Sequence, residues 1–531
     1  MKFKLKALAL TIGLATIAFT NVSEAATAAD YYVRSLPGLP DHVNLKSHAG
    51  HITIDELEES NIFFWLMHNR HIANKPKLII WLNGGPGCMD GVFLETGPFR
   101  VNEDQTLKPL NGAWNEFANV LYVDQPVGTG FSFTNHGSYV KNMTQVPQQF
   151  LSFLDRFFEV FPEYSQDDMY LAGESFAGTF IPYIANGILK RNNERKTPDY
   201  QKYNLRGIAI GNGWIDPNSQ NLAESQLKVC NDALKGSSNI KSDVCEEILA
   251  IILQNSRKRV GKVETCINQY DIRDHSDSYP SCGLKWPYEL ATVYKYLRRP
   301  DVVKSLHATK RKDLWVECSS TVGMGFDGDK SPPSITVYQD IICNYMGTEA
   351  LIGNLEWNGY KGFQNNTKLL WYVNDTLAGN IVTERNLTYV KVFNASHMVP
   401  YDVPLVTMDM MYRFMGLDHH IEKFPSRIES EELNNDKQHD SDSGNEQEIW
   451  NRYYDAGTTT LIIVIIGVIG LAVFIFRGKI MKKFRHTKVD TEVEQFIDSD
   501  GDGDSDTEDN HKSDDNKRTN KIYKDEEQLN Y

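Results

Sequence analysis

Short, nearly continuous apolar runs recur along the first half of the chain: Leu78-Ile79-Ile80-Trp81-Leu82, Val120-Leu121-Tyr122-Val123, Met169-Tyr170-Leu171-Ala172 and Ile208-Ala209-Ile210. Runs of this length without polar alternation predict strands buried on both faces, as in a parallel sheet. Between the second and third runs, Phe150, Leu154, Phe157 and Phe161 fall at helical spacing, and Phe161-Pro162 closes that helix. These aromatics are read as core. A helix-compatible segment, Thr179 to Leu189, follows the third run. Strands alternating with helices predict an α/β fold with a mostly parallel sheet covered on both faces. From about Trp214 to Pro300 the alternation lapses, and a helical, disulfide-stapled insertion over the sheet is expected. Tyr389-Val390-Lys391-Val392-Phe393 then reads as a strand leading into Asn394-Ala395-Ser396-His397-Met398-Val399-Pro400.

The ends of the 531-residue chain follow other patterns. Lys2, Lys4 and Lys6 precede the apolar stretch Ala7 to Phe19, and Ser23-Glu24-Ala25 offers a small-residue cleavage site, so residues 1–25 read as a secretory signal. Residues 456–476 are apolar and uncharged, about the ~20 residues that cross a bilayer as a helix. The basic flank Arg477, Lys479, Lys482, Lys483 and Arg485 should face the cytosol. The expected organisation is a lumenal domain over 31–421, an acidic linker over 422–455, a single C-terminal transmembrane helix and a cytosolic tail over 477–531. Residues 422–450 carry nine acidic and three basic residues, and 487–531 carry fifteen and six, which accounts for the whole net charge of −15. The rest of the chain, taken together, is therefore formally balanced. Both acidic stretches lack the apolar surface needed to offset chain entropy and are expected to be disordered. Asp498 to Gly503 hints at a calcium loop, but Asp509 stands at its twelfth place and no helices flank it, so a solvated tail read by sorting machinery is the better use.

Seven cysteines, at 88, 230, 245, 266, 282, 318 and 343, lie in the lumenal part, where six can pair. Close spacing suggests Cys230–Cys245 and Cys266–Cys282 as local staples, although spacing does not fix connectivity. Sequons at Asn142, Asn365, Asn374 and Asn386 suit glycosylation in the same compartment; a fifth, Asn394, sits three residues before His397, where a glycan would be surprising. No metal-ligand cluster, phosphate-cradling loop or internal repeat stands out, and no metal or organic cofactor is called for. Basic residues are not massed on any lumenal segment, which argues against a nucleic-acid partner.

The chemistry centres on Asp168-Met169-Tyr170-Leu171-Ala172-Gly173-Glu174-Ser175-Phe176-Ala177-Gly178. A strand, a tight turn of small residues around one serine and a following helix make a nucleophile elbow. The last glycine of the strict pattern is displaced by one, with Ala177 standing before Gly178. A serine needs a histidine to take its proton and a carboxylate to hold that histidine. Ser175, Asp340 and His397 occur in the chain order serine, acid, histidine of α/β-hydrolases.

Four blocks resemble the signature segments of the serine carboxypeptidases. They are Asn83-Gly84-Gly85-Pro86-Gly87-Cys88, Gly173 to Gly178, Asp340-Ile341-Ile342-Cys343-Asn344 and Asn394 to Pro400. Leu36-Pro37-Gly38-Leu39-Pro40 and His48-Ala49-Gly50-His51 match as well, so the resemblance runs from about Tyr31 to Gly416. The apolar span and acidic tails narrow it to the membrane-anchored branch found in fungi. The resemblance implies an α/β-hydrolase fold, with Ser175 as nucleophile, His397 as proton shuttle and Asp340 orienting it. It implies oxyanion donors at the backbone amides of Gly85 and Phe176, each such donor being worth about 3–4 kcal/mol of transition-state stabilisation. It also implies that Asn83, Gly84, Glu95 and Glu174 read a free C-terminal carboxylate, that Cys88 pairs with Cys318, and that Cys343 is a free thiol. The branch trims C-terminal Lys and Arg from peptide and protein precursors after dibasic cleavage, and a trans-Golgi, type I membrane address follows from resemblance alone. Asp90 is one candidate for an acidic pocket wall; a solvated loop aspartate is the other reading.

Two departures from the family pattern bear on these roles. Two residues are missing after Cys88, which in a helix would rotate Glu95 by about 200°. The helix and strand that precede the catalytic acid in the family are also missing, and Ser331-Pro332-Pro333-Ser334 leads through Ile335-Thr336-Val337-Tyr338-Gln339 directly to Asp340. Ile335 to Tyr338 favours extended chain and could stand in for the strand; otherwise Asp340 misses His397 and the central sheet loses a strand. An active carboxypeptidase is the main reading. A catalytically impaired membrane-bound homologue or an incomplete gene model is the alternative, and an esterase on the same fold explains the serine but not the Asn83 and Glu174 neighbourhood.

Overall fold

The computed structural model describes residues 26–73, 75–85, 89–194, 202–215, 250, 252–317, 319–326, 345–365, 367–417 and 425–430. The signal, the 456–476 span, both acidic stretches beyond residue 430, and Asp340 lie outside them. Among the described residues no helix is long and apolar enough to cross a membrane.

The central sheet has six strands: β1 (Ser47–Asp55), β2 (Ser60–Met67), β3 (Lys77–Leu82), β6 (Asn119–Asp124), β7 (Asp168–Glu174) and β8 (Leu205–Gly211). A separate ribbon, β4 (Phe99–Val101) with β5 (Leu107–Pro109), intervenes in the chain. The spatial order is β1-β2-β6-β3-β7-β8. Pairings β6/β3, β3/β7 and β7/β8 are parallel, whereas β1/β2 and β2/β6 are antiparallel. All four apolar runs become the parallel half. Strand β1 carries polar His48 and His51 among its apolar positions, which leaves it no continuous run; β2 holds the unbroken run Ile62–Met67, fully buried, which is as clear a strand signal as the other four.

Helix α1 (Val146–Val160) and helix α2 (Ala177–Glu194) cover one face. Phe150, Leu154, Phe157 and Phe161 are all fully buried there, against Phe64, Leu78, Ile80 and Leu121. Each ring removed from water contributes about 1.5–3 kcal/mol. The other face is covered by Phe93, by Val293, Tyr296 and Leu297 of helix Leu290–Leu297, and by Met408, Met411 and Tyr412 of helix Pro404–Phe414.

The described part of the insertion is mixed rather than wholly helical: helix Leu290–Leu297 falls within it, beside strands. Between residues 252 and 289 it holds a three-stranded antiparallel sheet, β9 (Lys258–Val260), β10 (Val263–Cys266) and β11 (Asp277–Ser278). Cys266 and Cys282 form a disulfide. After a small ribbon, β12 (Glu356–Trp357) with β13 (Tyr360–Lys361), comes a second sheet of order β16-β15-β14-β17. Its strands are β14 (Leu369–Val373), β15 (Thr376–Glu384), β16 (Leu387–Val392) and β17 (Ser426–Ser430), all antiparallel. The expected strand before His397 is therefore β16, and among the described residues it pairs within this second sheet. Helix Pro404–Phe414 joins the two: Val406 and Met410 pack on Trp371 and Val390, while Tyr412 Oη donates to the Trp114 carbonyl at 2.7 Å. Buried Asp409 accepts from Trp371 Nε1 at 2.8 Å and from Arg413 Nε at 2.9 Å. His397 thus lies on the short connection between the second sheet and the helix that bridges to the first.

Candidate active site

The parallel register decides where the site forms. Leu82 pairs with Gly173, and Glu174 pairs with Gly211, so the carboxyl ends of β3, β7 and β8 stand side by side. Ligands of open α/β sheets bind at that edge. Ser175 follows β7 immediately and takes φ 55°, the left-handed region that a non-glycine residue enters at a cost of about 1–3 kcal/mol. Hydrogen bonds over-determine that conformation. Its N–H donates to the Gly211 carbonyl at 3.1 Å, and its carbonyl accepts from Gly178 N at 2.9 Å and Trp214 N at 2.6 Å. The displaced glycine has a steric reason: a Cβ on Gly178 would meet the Gly213–Trp214 backbone at 2.8 Å. Ala177 fits where the strict motif has glycine, and is itself fully buried.

The turn after β3 crosses the elbow. A Cβ on Gly84 would lie 2.6 Å from both Phe176 N and Ser175 Cβ, and 2.9 Å from the Glu174 carbonyl. This contact lays the Gly84-Gly85 turn against the Phe176 backbone. Gly85 takes φ 91°.

Asn83, Glu95 and Glu174 are buried beside the turn. Trp81 Nε1 and Gly91 N both donate to Asn83 Oδ1, at 2.8 and 3.0 Å, which fixes the amide and aims its Nδ2 at Glu95 Oε1, 2.8 Å away. The re-aiming that the shortened Cys88 segment demands is met by a single π-helical turn, Gly91–Glu95, closed by Thr96 N on the Gly91 carbonyl at 2.8 Å. Its wider i→i+5 turn changes the phase of the side chains. Burial pushes the Glu95 carboxyl up, against the opposing pull of hydrogen bonds to Glu174 and Asn83 and of the nearby Arg100 and His397. Two carboxyl groups in hydrogen-bond contact without solvent share a proton. Asp90, at the head of this turn, is buried.

His397 is buried at 5 % exposure. Its N–H donates to the Tyr270 carbonyl at 2.9 Å, and its ring centroid lies 5.4 Å from that of Tyr270. Asn212 Nδ2 donates to the carbonyls of His397 at 3.0 Å and Ser396 at 3.2 Å. One loop, residues 211–214, therefore grips both Ser175 and the His397 segment. Asn212 and Tyr270 stand in no motif of the sequence, and Trp81 appears there only as part of an apolar run. Asp340, Cys88, Cys318, Cys343, Cys230 and Cys245 lie outside the described residues. Among the described residues no group of three or more His, Cys, Asp or Glu side chains is placed to hold a metal ion. The arrangement offers a constrained hydroxyl, a buried imidazole and a carboxyl pair in hydrogen-bond contact at one sheet edge, the parts needed for acyl transfer at a chain terminus.

Residues 37–416 match the family model described as serine carboxypeptidase. The chain belongs to the serine carboxypeptidase family. It is 42% identical to the pheromone-processing carboxypeptidase kex1 of Aspergillus fumigatus, over 88% of this chain and 83% of the relative. It is 39% identical to the corresponding protein of Tuber melanosporum, over 91% and 86%. The solved structure of Kex1(delta)p, a prohormone-processing carboxypeptidase from Saccharomyces cerevisiae, matches with a TM-score of 0.66 at 33% identity, covering 74% of this chain and 96% of that one. These likenesses carry the α/β-hydrolase type of fold and serine carboxypeptidase activity to this chain.

The close approach at Gly84 is directly testable in this carboxypeptidase. Gly84→Ala must push a methyl group into backbone, so unfolding free energy should fall by about 1–3 kcal/mol and kcat/KM by about 100-fold. Urea unfolding and peptide hydrolysis measure the two; a variant matching wild type in both would show that the elbow does not depend on this contact.

Proposed function

We propose that the enzyme removes C-terminal residues, preferentially Lys and Arg, from peptide and protein precursors in the late secretory pathway. The observation that carries an exopeptidase rather than an esterase is the buried Asn83–Glu95–Glu174 cluster beside the elbow. An ester or an internal peptide bond needs no partner for a free carboxylate. A protonated carboxyl and an oriented amide supply donors to one. In this reading Ser175 attacks the last peptide carbonyl, His397 takes and returns the proton, and Asp340 holds its tautomer. The amides of Gly85 and Phe176 receive the oxyanion.

Several observations support the finer parts of the reading. The relatives process pheromone or prohormone precursors by name. A cleft of about 300 Å³ next to the Glu95 turn is lined by Leu94, Arg100, Glu289 and Tyr401, among others. Glu289 accepts from Tyr401 Oη at 2.9 Å and is an exposed carboxylate there, a better candidate than buried Asp90 for meeting a basic side chain. Asn365, Asn374 and Asn386 are exposed and Asn142 is half-buried, consistent with glycosylation in the lumen. The pairings Cys88–Cys318 and Cys230–Cys245, the free Cys343 and anchoring by residues 456–476 complete the proposal.

Purified full-length protein in detergent should release Lys or Arg from a short peptide at mildly acidic pH, and Ser175→Ala should not. Absence of release from folded wild-type protein would overturn the reading in favour of an impaired homologue. The Glu95 pair sets a second expectation. The raised pKa of Glu95 keeps a proton on the pair at acidic pH; as pH rises that proton is lost, and the second negative charge develops beside the substrate carboxylate and repels it. KM for a peptide should therefore rise by about tenfold between pH 5 and pH 8, the equivalent of about 1.4 kcal/mol. An unchanged KM across that range would exclude the carboxylate-binding role.

A further inference from the structure

We propose that Arg273, in the insertion, is a positioning residue for His397; the inference rests on the catalytic role of His397 proposed above. Two hydrogen bonds from the insertion, from Arg273 and to Tyr270, reach the segment from Asn394 to His397. Arg273 Nη1 donates to the Asn394 carbonyl at 2.7 Å, and Arg273 Nη2 donates to Asp402 Oδ1 at 3.1 Å. The other oxygen of Asp402 accepts from Ser396 N at 2.5 Å. His397 N donates to the Tyr270 carbonyl. Arg273 therefore pins the segment at its start, and holds the carboxylate that pins its middle, while its near neighbour Tyr270 takes the histidine itself.

The clamp is itself fixed. Asp271 receives Arg273 Nε at 2.8 Å and Nη2 at 2.9 Å, a fork-to-fork pair that sets the plane of the guanidinium. Asn268 Oδ1 accepts from Tyr270 N at 2.9 Å and Asp271 N at 3.2 Å, and Cys282 O accepts from Gln269 N at 3.0 Å. The Cys266–Cys282 disulfide closes the loop behind these residues. A guanidinium spreads its donors over three nitrogens in a rigid plane, so it can hold Asp271 bidentately and still reach Asn394 and Asp402; an ammonium's three donors radiate from one nitrogen and cannot form that fork. Half-exposed ion pairs of this kind add little to global stability. Their consequence here is geometric, because a misplacement of about 1 Å at a reacting group can cost about 100-fold in rate.

The test compares wild type, Arg273→Ala and Arg273→Lys as full-length protein, by steady-state peptide hydrolysis and by hydrogen exchange of the peptide spanning 393–402. Arg273→Ala should lower kcat by about 10- to 100-fold with KM within about twofold, and exchange across 394–398 should accelerate. Arg273→Lys should recover only part of kcat. Unchanged exchange with kcat within about twofold of wild type would overturn the inference, as would full recovery by lysine, which would mean that charge alone suffices. Should Arg273→Ala not fold, Arg273→Lys decides: reduced kcat at unchanged KM supports the clamp, and wild-type kcat refutes it. An inactive wild type would defeat the catalytic reading alone, and the exchange comparison would still decide whether Arg273 holds the segment.

Discussion

Everything at this site depends on three backbone segments approaching within contact distance around Ser175. The carboxyl ends of β3, β7 and β8 are brought level by parallel pairing, and the turn after β3 then passes so close to the elbow that no side chain fits at position 84. The same crowding forces Ser175 into the left-handed region, where three hydrogen bonds from the β8 loop and the first turn of α2 hold it. The strain is localised because β3 and β7, the two strands that lead into the turn and the elbow, are fully buried. Small residues in this part of the sequence answer a packing demand, and the hydroxyl's presentation at the sheet edge is its by-product.

The parallel half of the fold was legible because burial on both faces writes itself as unbroken apolar runs. The helical aromatics before Pro162 were legible for the same reason, with a period of 3.6 in place of continuity. What escaped was structure whose signal is tertiary. Strand β1 mixes polar and apolar positions, since His51 bonds the Phe131 carbonyl; β2, with its run Ile62–Met67, was legible by the same rule as the parallel strands. The insertion's small sheet has short, exposed strands with no periodic face to read. The pairing of β16 within the second sheet is a matter of partners, which no local pattern encodes.

The site residues divide along similar lines. Ser175, His397, Asn83 and Glu174 sit in distinctive local contexts, and the fold gathers all four at or beside one sheet edge. Glu95 could not be placed by counting, because two missing residues should have turned it away; a single wider helical turn returns it to Asn83. Asn212 and Arg273 act on the His397 segment from 184 and 121 residues away in sequence, through backbone carbonyls. Such contacts leave no motif, because the group recognised is the peptide unit that every residue carries.

The second sheet and the central sheet meet through helix Pro404–Phe414, and the histidine segment lies at the start of that bridge. An imidazole there is aligned with a serine on the other sheet only while the bridge, the β8 loop and the insertion all hold. The most direct measurement of whether they do is the extent and site of reaction with an organophosphorus fluoridate, read by peptide mass spectrometry on folded full-length protein. One adduct per chain on Ser175, lost when His397 is replaced by alanine, is the predicted result. No adduct on the folded protein, or labelling of Ser175 that is indifferent to His397, would contradict the account.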